Sequence, residues 1–513
     1  MTLVATLEMN GNPFEHYTAE TEPNIADYAV RPPYLEAISA RARGLSSFIL
    51  FGDRGAGKSA KRITVYNEIW KEASKKKSPF VLNLTDYSAI HDLLKKDKLA
   101  DRDIVGAVAF AVVEQILVWL SSLENDERQI YIDGLNPNER TLMFALMKGF
   151  YLSVSEMDRE VSTSDALRLL NSAWTTKSAV WIGGQWEALS KIIAAAVNAL
   201  SKHQLDNAID ISAPAEALLK SLTGEAPNTS KAILIKLVDL VKAFGYIGIC
   251  VLVDKVDETP STANSAEATA RLIHPLLSHI QLLEIAGFSW ILFLWSNVQN
   301  HFNAKYPVRL DKIAHANITW NVDSLREMID SRVKFFSDGR YQFDDLLVEG
   351  MVSKAVFDEL VSISVSSPRE LIKLMDFVVR EHDARGDAAP PLVDQSSLNL
   401  GQDKYALETI GGWFSDKPLQ QVLRLGKTSF VNKDVQSAFK IGDQGARVKI
   451  ASWEDAGLVR QSGTLPSELG GKPVYRFIVA DSRVERIISR KLADIVGAEL
   501  EVGEEGSGEL LSE

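Results

Sequence analysis

Eight consecutive residues carry the strongest chemical signal in the chain. Residues 52–59 match the phosphate-binding pattern G-x-x-x-x-G-K-[ST] in full. In this pattern glycines let the backbone wrap closely, so that successive N–H groups and a helix N-terminus point at phosphates. The lysine neutralises the β- and γ-phosphate oxygens and the serine hydroxyl ligates Mg²⁺. The residues expected to bind ATP are Gly52, Asp53, Arg54, Gly55, Ala56, Gly57, Lys58 and Ser59.

A second acidic motif follows an apolar run at 247–253. Asp254 comes directly after that run, so its carboxylate is expected to reach the Mg²⁺ shell together with Ser59. Lys255 stands where many ATPases place a catalytic glutamate. Asp257 and Glu258 are therefore the candidates for polarising the attacking water. Acidic residues in a solvated loop are the alternative interpretation of these two.

Two polar residues and two arginines complete the candidate catalytic set. Ser296 and Asn297 follow the apolar run 290–295 and are expected to touch the γ-phosphate or the lytic water, or else simply to form a turn. Arg309 and Arg369 are candidates for stabilising charge on the transferring phosphoryl group. The sequence Ser367-Pro368 before Arg369 predicts a helix start there.

Short apolar runs alternate with helical patterns over the first part of the chain. Runs at 47–51, 79–84, 247–253, 290–295 and 316–320 predict strands. Their alternation with helices predicts an α/β fold, a three-layer P-loop core with a parallel sheet. The predicted organisation is a lead-in at 1–46, the core at 47–321 with a helical insertion at about 124–230, a helical lid at 322–390, a linker at 391–403, a winged helix at 404–491 and an acidic tail at 492–513.

Charge is distributed unevenly between these segments. Residues 404–491 carry 15 Lys and Arg against 9 Asp and Glu, which gives them a charge of +6. Because the whole chain carries −12, the remaining residues sum to −18. The helix, helix, helix and strand-pair pattern of 404–491 predicts a winged helix. Duplex DNA and a partner protein both remain possible occupants of its surface. The side chains expected to contact nucleic acid are Arg447, Lys449, Lys472 and Arg476.

Composition bounds the remaining possibilities. The chain has 513 residues, 46% of them hydrophobic and 24% charged, which is ordinary globular usage. A single cysteine, Cys250, excludes an intrachain disulfide and suits a reducing cytoplasm. The most apolar stretch, 104–120, is shorter than a membrane span and contains Glu114, so we expect a buried helix and no membrane contact.

These motifs in this order resemble AAA+ ATPases of the origin-recognition/Cdc6-like group and the related STAND signalling ATPases. The resemblance is carried by GDRGAGKS (52–59), VLVDKVDE (251–258), LWSN (294–297), SPREL (367–371) and the C-terminal winged helix. It implies that Arg369 is a sensor of the γ-phosphate and that Arg309 is a finger for a neighbouring subunit. It also makes a role in bacterial antiphage defence plausible. Lys255 departs from the usual pattern and leaves the position of the catalytic acid open.

The expected function is that of a regulatory ATPase. Its ATP state would control assembly, as a homo-oligomer or with a partner protein, and exposure of the winged helix. Hydrolysis is expected to be slow. Two alternatives stay open: a replication or loading factor that ATP locks around duplex DNA, and a scaffold that binds nucleotide without turnover.

Overall fold

The structure is a computed structural model. It describes residues 2–19, 21–22, 25–28, 33–72, 78–173, 190–191, 212–223, 228–262, 265–302, 305–414, 416–466 and 473–492. The chain divides into two compact units. The first, called the sheet unit, is Glu22–Thr319, and the second, called the C-terminal unit, comprises Met1–Thr21 and Trp320–Glu513.

A parallel sheet of five strands organises the sheet unit. The strands are β1 (Phe48–Gly52), β2 (Phe80–Leu84), β3 (Ile249–Val253), β4 (Phe288–Trp295) and β5 (His315–Asn317), in the spatial order β2-β3-β4-β1-β5. All neighbouring strands are parallel. The predicted α/β fold with a parallel sheet is therefore confirmed. Each predicted strand is present, with one or both of its ends shifted by one to three residues.

The parallel register brings the carboxyl ends of the strands to one edge. Gly52 at the end of β1 pairs with Trp295 at the end of β4. Leu84 and Val253 pair at the ends of β2 and β3. The first four strands are almost completely buried, which explains why they appear in the sequence as continuous apolar runs. Loops that leave this edge are thus held close together by the sheet.

Helices surround this sheet and extend the unit. They span Ile25–Tyr28, Pro33–Arg43, Lys58–Glu72, His91–Lys95, Asp101–Ser122, Asn125–Gly134, Pro137–Leu146, Glu156–Ala173, Ser212–Thr223, Thr229–Ala243, Ala266–Leu277, Ile280–Leu283 and Gln299–Phe302. Within the described residues, Asp101–Ser122 is the one helix long and apolar enough to cross a membrane, and 78% of its most apolar window is buried. The prediction of a buried helix at 104–120 is confirmed.

A carboxyl group lies inside that buried helix. Glu114 is 6% exposed and accepts hydrogen bonds from the hydroxyls of Ser162 and Thr163, both at 3.0 Å. Burial raises the pKa of the Glu114 carboxyl to about 7, and the two hydroxyl donors partly oppose this rise. These hydrogen bonds link the helix Glu156–Ala173 to the buried helix Asp101–Ser122 inside an apolar core.

The C-terminal unit begins with a bundle of helices to which the N-terminal segment is attached. The helices are Leu3–Thr6, Val322–Phe336, Ser353–Ile363, Pro368–Ala384 and Gln395–Ile410. Arg332 is 3% exposed and donates from Nε to the Pro13 carbonyl at 2.8 Å. The Tyr17 hydroxyl donates to the buried Asp376 carboxylate. Residues 2–19 therefore belong to the core of this unit, although nothing in their sequence predicted that contact.

The segment predicted as a linker at 391–403 differs from the structure. A helix begins at Gln395, because the Asp394 carboxylate caps it by accepting from the Ser397 N–H at 2.9 Å. Tyr405 on the same helix is completely buried. The polar, proline-rich composition describes only the residues that precede this cap.

The end of the C-terminal unit contains the elements predicted for a winged helix. Helices span Asp416–Leu425, Asn432–Phe439, Asp443–Asp455 and Ser482–Ser489, and the strands are β6 (Ser429–Val431), β7 (Val459–Leu465) and β8 (Val474–Val479). The strands form an antiparallel sheet in the order β6-β8-β7. The three helices and the strand pair follow the predicted order, whereas β6 and the last helix were not predicted.

Glu114 predicts a pH dependence of stability. Its pKa in the folded protein exceeds the unfolded value of about 4.3, so the folded state holds an extra proton between these values. Stability should therefore fall as the pH rises from about 4.5 to about 7, by on the order of 3 kcal/mol, and then level off. Glu114→Gln should remove most of this loss, which thermal melts of both proteins at pH 5 and pH 8 would measure. The exposed Glu124→Gln is the control, and an unchanged pH dependence in Glu114→Gln would contradict the prediction.

Candidate nucleotide-binding site

The loop between β1 and the helix Lys58–Glu72 has the backbone of a phosphate cradle. Gly55 and Gly57 adopt φ values of +78° and +77°, in the left-handed region that favours glycine. A Cβ added to Gly52 would lie 2.8 Å from Cδ1 of Ile318, so any larger residue at the strand end would require the Ile318 side chain to shift. Gly52 and Gly57 are the two glycines that the motif specifies, and Gly55 is an additional glycine at one of its unspecified positions.

Lys58, the first residue of the helix, lies folded over this loop. Its Nζ donates to the carbonyls of Gly52 and Asp53 at 2.9 and 3.1 Å, and the residue is 9% exposed. One turn on, burial and the nearby Lys58 charge lower the pKa of Lys61 to about 8. Two ammonium groups therefore crowd the start of this helix, where an anion would relieve their desolvation and repulsion.

Asp254 is held by an arginine that the sequence motifs did not identify. Arg62 Nε donates to Asp254 Oδ2 at 3.0 Å, and the two side chains are 3% and 2% exposed. Arg62 Nη1 also donates to Asn83 Oδ1 on β2 at 2.8 Å. The Tyr87 hydroxyl donates to the Asp254 carbonyl at 2.9 Å. The carboxylate predicted to approach Mg²⁺ is thereby fixed to the helix that follows the phosphate-binding loop.

Asp257 is also paired with an arginine, one that belongs to the phosphate-binding loop itself. Arg54 Nε donates to Asp257 Oδ2 at 3.1 Å, and the Asp257 side chain is 7% exposed. The Arg54 guanidinium carbon lies 4.2 Å from the ring centre of Trp295, the last residue of β4. Three neighbouring strands thus contribute to one contact. The motifs identified Arg54 and Asp257 separately, but not their pairing.

Glu258 and Lys255 occupy the outer side of the same loop. Glu258 is exposed and lines a cavity of about 350 Å³ together with Asp86, His91 and Lys255. Lys255 has φ +61°, an uncommon backbone conformation for a residue with a side chain. The structure therefore places Asp257 inside the site and Glu258 at its rim.

The remaining polar candidates of the sheet unit lie at the strand ends or on the surface. Ser296 and Asn297 follow Trp295 directly in a short 3₁₀ turn, next to the strand that precedes the phosphate-binding loop. Arg309 is exposed and forms an ion pair with Asp311 at 2.7 Å. A surface position suits a residue that acts on another subunit, and the finger role of Arg309 stays a prediction.

The other candidates belong to the C-terminal unit. Arg369 is the second residue of the helix Pro368–Ala384, whose predicted start is confirmed by the Ser367 N-cap. Arg447 is exposed and pairs with Asp443 at 2.9 Å, and the Lys449 ammonium lies 4.8 Å from the ring centre of Phe439. Arg476 donates from Nε to the Ser429 hydroxyl at 2.8 Å. Lys472 lies outside the described residues.

The site fits a magnesium nucleotide. Among the described residues there is no group of three or more His, Cys, Asp or Glu side chains able to hold a metal ion. Mg²⁺ commonly takes one or two protein ligands and completes its shell with phosphates and waters. Ser59 and Asp254 would hold it, while Lys58 and the loop amides would hold the phosphates.

Comparisons with known proteins give similar solved structures. No family model matches the chain, and no curated protein sequence matches it significantly. The structure of Aeropyrum pernix ORC1 protein in complex with DNA matches with 11% identity and a TM-score of 0.34, covering 90% of this chain and 94% of that one. Two structures of Aeropyrum pernix ORC2 protein, one with ADPNP and ADP and one in the ADP form, match with 12% identity and TM-scores of 0.35 and 0.36. Each covers 92% of this chain and 99% of that one.

At TM-scores below 0.5 and identities of 11–12%, these matches carry no conclusion about the family or role of this chain, and the resemblance drawn from the motifs stays a prediction. The α/β fold with a phosphate-binding loop is established by the strands and the loop described above.

The buried pair of Arg62 and Asp254 predicts strong coupling in stability. Arg62→Met should lower the free energy of unfolding by about 3–5 kcal/mol, because it leaves a buried carboxylate unpaired. Adding Asp254→Asn should cost much less than its effect in the wild-type background, which urea unfolding of the four proteins would measure. Lys305→Met, which breaks an exposed ion pair with Glu267, is the control and should change little. Additive effects of Arg62→Met and Asp254→Asn would contradict the prediction.

Proposed function

We propose that the chain is an ATP-binding and slowly hydrolysing AAA+/STAND-like regulatory ATPase. The observation that carries this proposal is the complete phosphate-binding loop folded between β1 and the helix Lys58–Glu72, with Asp254 and Asp257 in the loop that leaves β3 at the same edge of the sheet. A backbone cradle, a lysine at its mouth and carboxylates near the metal position are the parts that phosphoryl transfer needs.

The proposal assigns a role to each candidate residue at the carboxyl edge of the sheet. Lys58 and Ser59 bind the phosphates and the metal, and Asp254 supports the metal from β3. Bound Mg²⁺ would supply neutralisation of charge on the phosphate oxygens. Asp257 or Glu258 would orient the attacking water and accept its proton. Ser296 and Asn297 follow β4 at the same edge and would contact that water or the γ-phosphate.

The contacts of the acidic residues support the proposal of slow turnover. Asp257 is paired with Arg54 at 3.1 Å, so this ion pair must open before the carboxylate can orient water. Glu258 at the rim lacks this pairing with Arg54 but is farther along the loop from Asp254. A site built in this way suits nucleotide-dependent control better than rapid turnover.

The regulatory part of the proposal concerns assembly and the C-terminal elements. Arg369 would report the γ-phosphate, and Arg309 would act on a neighbouring copy or partner protein, so that the ATP state controls assembly and engagement of the winged helix. The chain would work in the cytoplasm, and antiphage defence is the biological setting suggested by its resemblance to STAND ATPases.

The lysine of the loop provides the direct test of nucleotide binding. Lys58→Ala should weaken MgATP binding at least about 100-fold, because the ammonium that compensates the phosphate charge is removed. Equilibrium binding of a fluorescent, slowly hydrolysed ATP analogue measures this. Lys71→Ala at the exposed end of the same helix is the matched control and should bind normally.

Two outcomes would redirect the proposal. Unchanged MgATP affinity in Lys58→Ala would refute nucleotide binding at this loop. Normal binding by the wild-type chain with no phosphate release in a single-turnover assay would instead favour the nucleotide-bound scaffold.

The surface of the C-terminal elements favours a second candidate function, ATP-dependent binding of duplex DNA. Arg447 is exposed on the helix Asp443–Asp455, and Arg476 is exposed on β8. Residues 404–491 carry +6 within a chain of net charge −12. A basic module of this kind would bind the phosphate backbone first and read sequence only through side chains that reach the bases.

A matched pair of variants tests this second function. Arg447→Ala should weaken duplex binding about threefold to tenfold and reduce the slope of log affinity against log salt by about 1, as expected for one lost phosphate contact. Lys354→Ala is the control, since Lys354 also forms an exposed i,i+4 ion pair, with Asp358, but lies outside 404–491. Fluorescence anisotropy at several salt concentrations measures both. Equal, salt-independent affinities of both variants would favour a protein partner.

A further inference from the structure

Arg54 has a double attachment that the phosphate-binding motif does not require. The motif allows any residue at this position, yet Nε of Arg54 is bonded to Asp257 and its guanidinium stacks on Trp295. The three residues come from the loop after β1, the loop after β3 and the end of β4. These are neighbouring strands in the sheet, so the contact joins the phosphate-binding loop to the loop that carries the candidate water-activating acid.

The guanidinium is incompletely satisfied in this arrangement. Nη2 of Arg54 is buried and has no hydrogen-bond partner among the described residues. A buried donor without a partner costs free energy that any suitable acceptor would recover. Phosphate oxygens are the acceptors that a guanidinium binds best, with two parallel hydrogen bonds. Arg54 lies within the very loop whose backbone is shaped to receive phosphates.

The two arginine–aspartate pairs of the site differ in how easily they open. Arg62 and Asp254 are 3% and 2% exposed, so separating them would strand a buried charge. Arg54 is 38% exposed, so its charge can move to another partner without leaving contact with solvent. The pair of Arg62 and Asp254 is therefore suited to hold the site in place. The pair of Arg54 and Asp257 is suited to open when nucleotide binds.

We propose that Arg54 is a phosphate-responsive latch on Asp257. Without nucleotide, Asp257 and Trp295 hold the guanidinium. When a nucleoside triphosphate enters the loop, Arg54 transfers its hydrogen bonds to the phosphate oxygens, and Asp257 is released to orient water. This inference rests on the proposed function, because it assumes that the loop binds ATP, and it gives Arg54 a second role, the positioning of Asp257.

A latch makes Asp257 and the phosphates competitors for one guanidinium. Asp257→Asn should therefore tighten binding of a slowly hydrolysed MgATP analogue by about threefold to tenfold, because Arg54 no longer has to leave an ion pair. Arg54→Met should weaken binding about tenfold. In the Arg54→Met background, Asp257→Asn should change affinity by less than about twofold, because the competition has been removed. Isothermal titration of the four proteins at constant salt measures this cycle.

The cycle distinguishes the latch from simpler explanations. If Asp257→Asn tightens binding equally in both backgrounds, the effect is only the loss of a negative charge, and the latch is refuted. If Asp257→Asn weakens binding, Arg54 and Asp257 act together on the nucleotide and the latch is also refuted. Arg102→Met, an exposed arginine beside Asp103 in the same unit, is the control and should leave the affinity unchanged.

Trp295 supplies a spectroscopic signature of the moving guanidinium. Addition of the analogue should change the tryptophan emission of the wild-type protein, and the change should disappear in Trp295→Phe and in Arg54→Met at saturating nucleotide. Phe keeps an aromatic ring, so Trp295→Phe should still bind. An identical emission change in all three proteins would overturn the latch.

The tests separate failure of the latch from failure of the proposed function. If the wild-type chain does not bind the analogue, nucleotide binding itself fails. If it binds but the cycle shows no coupling, only the latch fails. Should Arg54→Met not fold in thermal melts, Arg54→Lys keeps the charge while losing the planar fork, and Asp257→Asn should then tighten binding less than it does beside Arg54.

Discussion

The buried ion pair between Arg62 and Asp254 is the interaction on which the site depends. Arg62 belongs to the helix that starts at the phosphate-binding loop, and Asp254 is the residue that directly follows β3. Two charges that are almost completely withdrawn from water must remain together, since either one alone would be strongly unfavourable. This requirement fixes the helix N-terminus relative to the sheet edge. The positions of the phosphate-binding loop and of the loop after β3 depend on that constraint.

The parallel register converts this local constraint into a shared site. Gly52 and Trp295 are paired across β1 and β4, and Leu84 and Val253 across β2 and β3. Because these strands are parallel and in register, the loops that leave their carboxyl ends lie at one edge of the sheet. This edge therefore holds two ion pairs of different burial. The pair of Arg62 and Asp254 is almost completely buried, whereas Arg54 in its pair with Asp257 is partly exposed.

The sequence predicted the fold well because its signals are local. Each buried strand is a short apolar run, and the phosphate-binding loop is a contiguous motif whose glycines have a direct steric reason. The pairing partners were not predictable in the same way. Arg62 and Asp254 are 192 residues apart, and Arg54 and Asp257 are 203 apart. No periodicity or spacing rule connects residues at such separations without the sheet register.

The same limit applies to the elements that the sequence misjudged. The three-residue strand β6 is too short for an alternation pattern, and it exists because it pairs with β8. The N-terminal segment shows no period, yet Arg332 and Asp376 bind it from helices more than 300 residues away. Proline and polar residues near 391 suggested a linker, although the Asp394 cap starts a helix there.

Net charge illustrates why a chain average is a poor guide to a site. The whole chain carries −12, but the start of the helix after the phosphate-binding loop concentrates Lys58, Lys61 and Arg62. Burial and the nearby Lys58 charge lower the pKa of Lys61 to about 8. Asp254 is already paired with Arg62, and Asp257 is paired with Arg54. Asp254 and Asp257 are thus engaged by the two arginines, while Lys58 and Lys61 add two further positive charges beside the loop that we propose binds the phosphates.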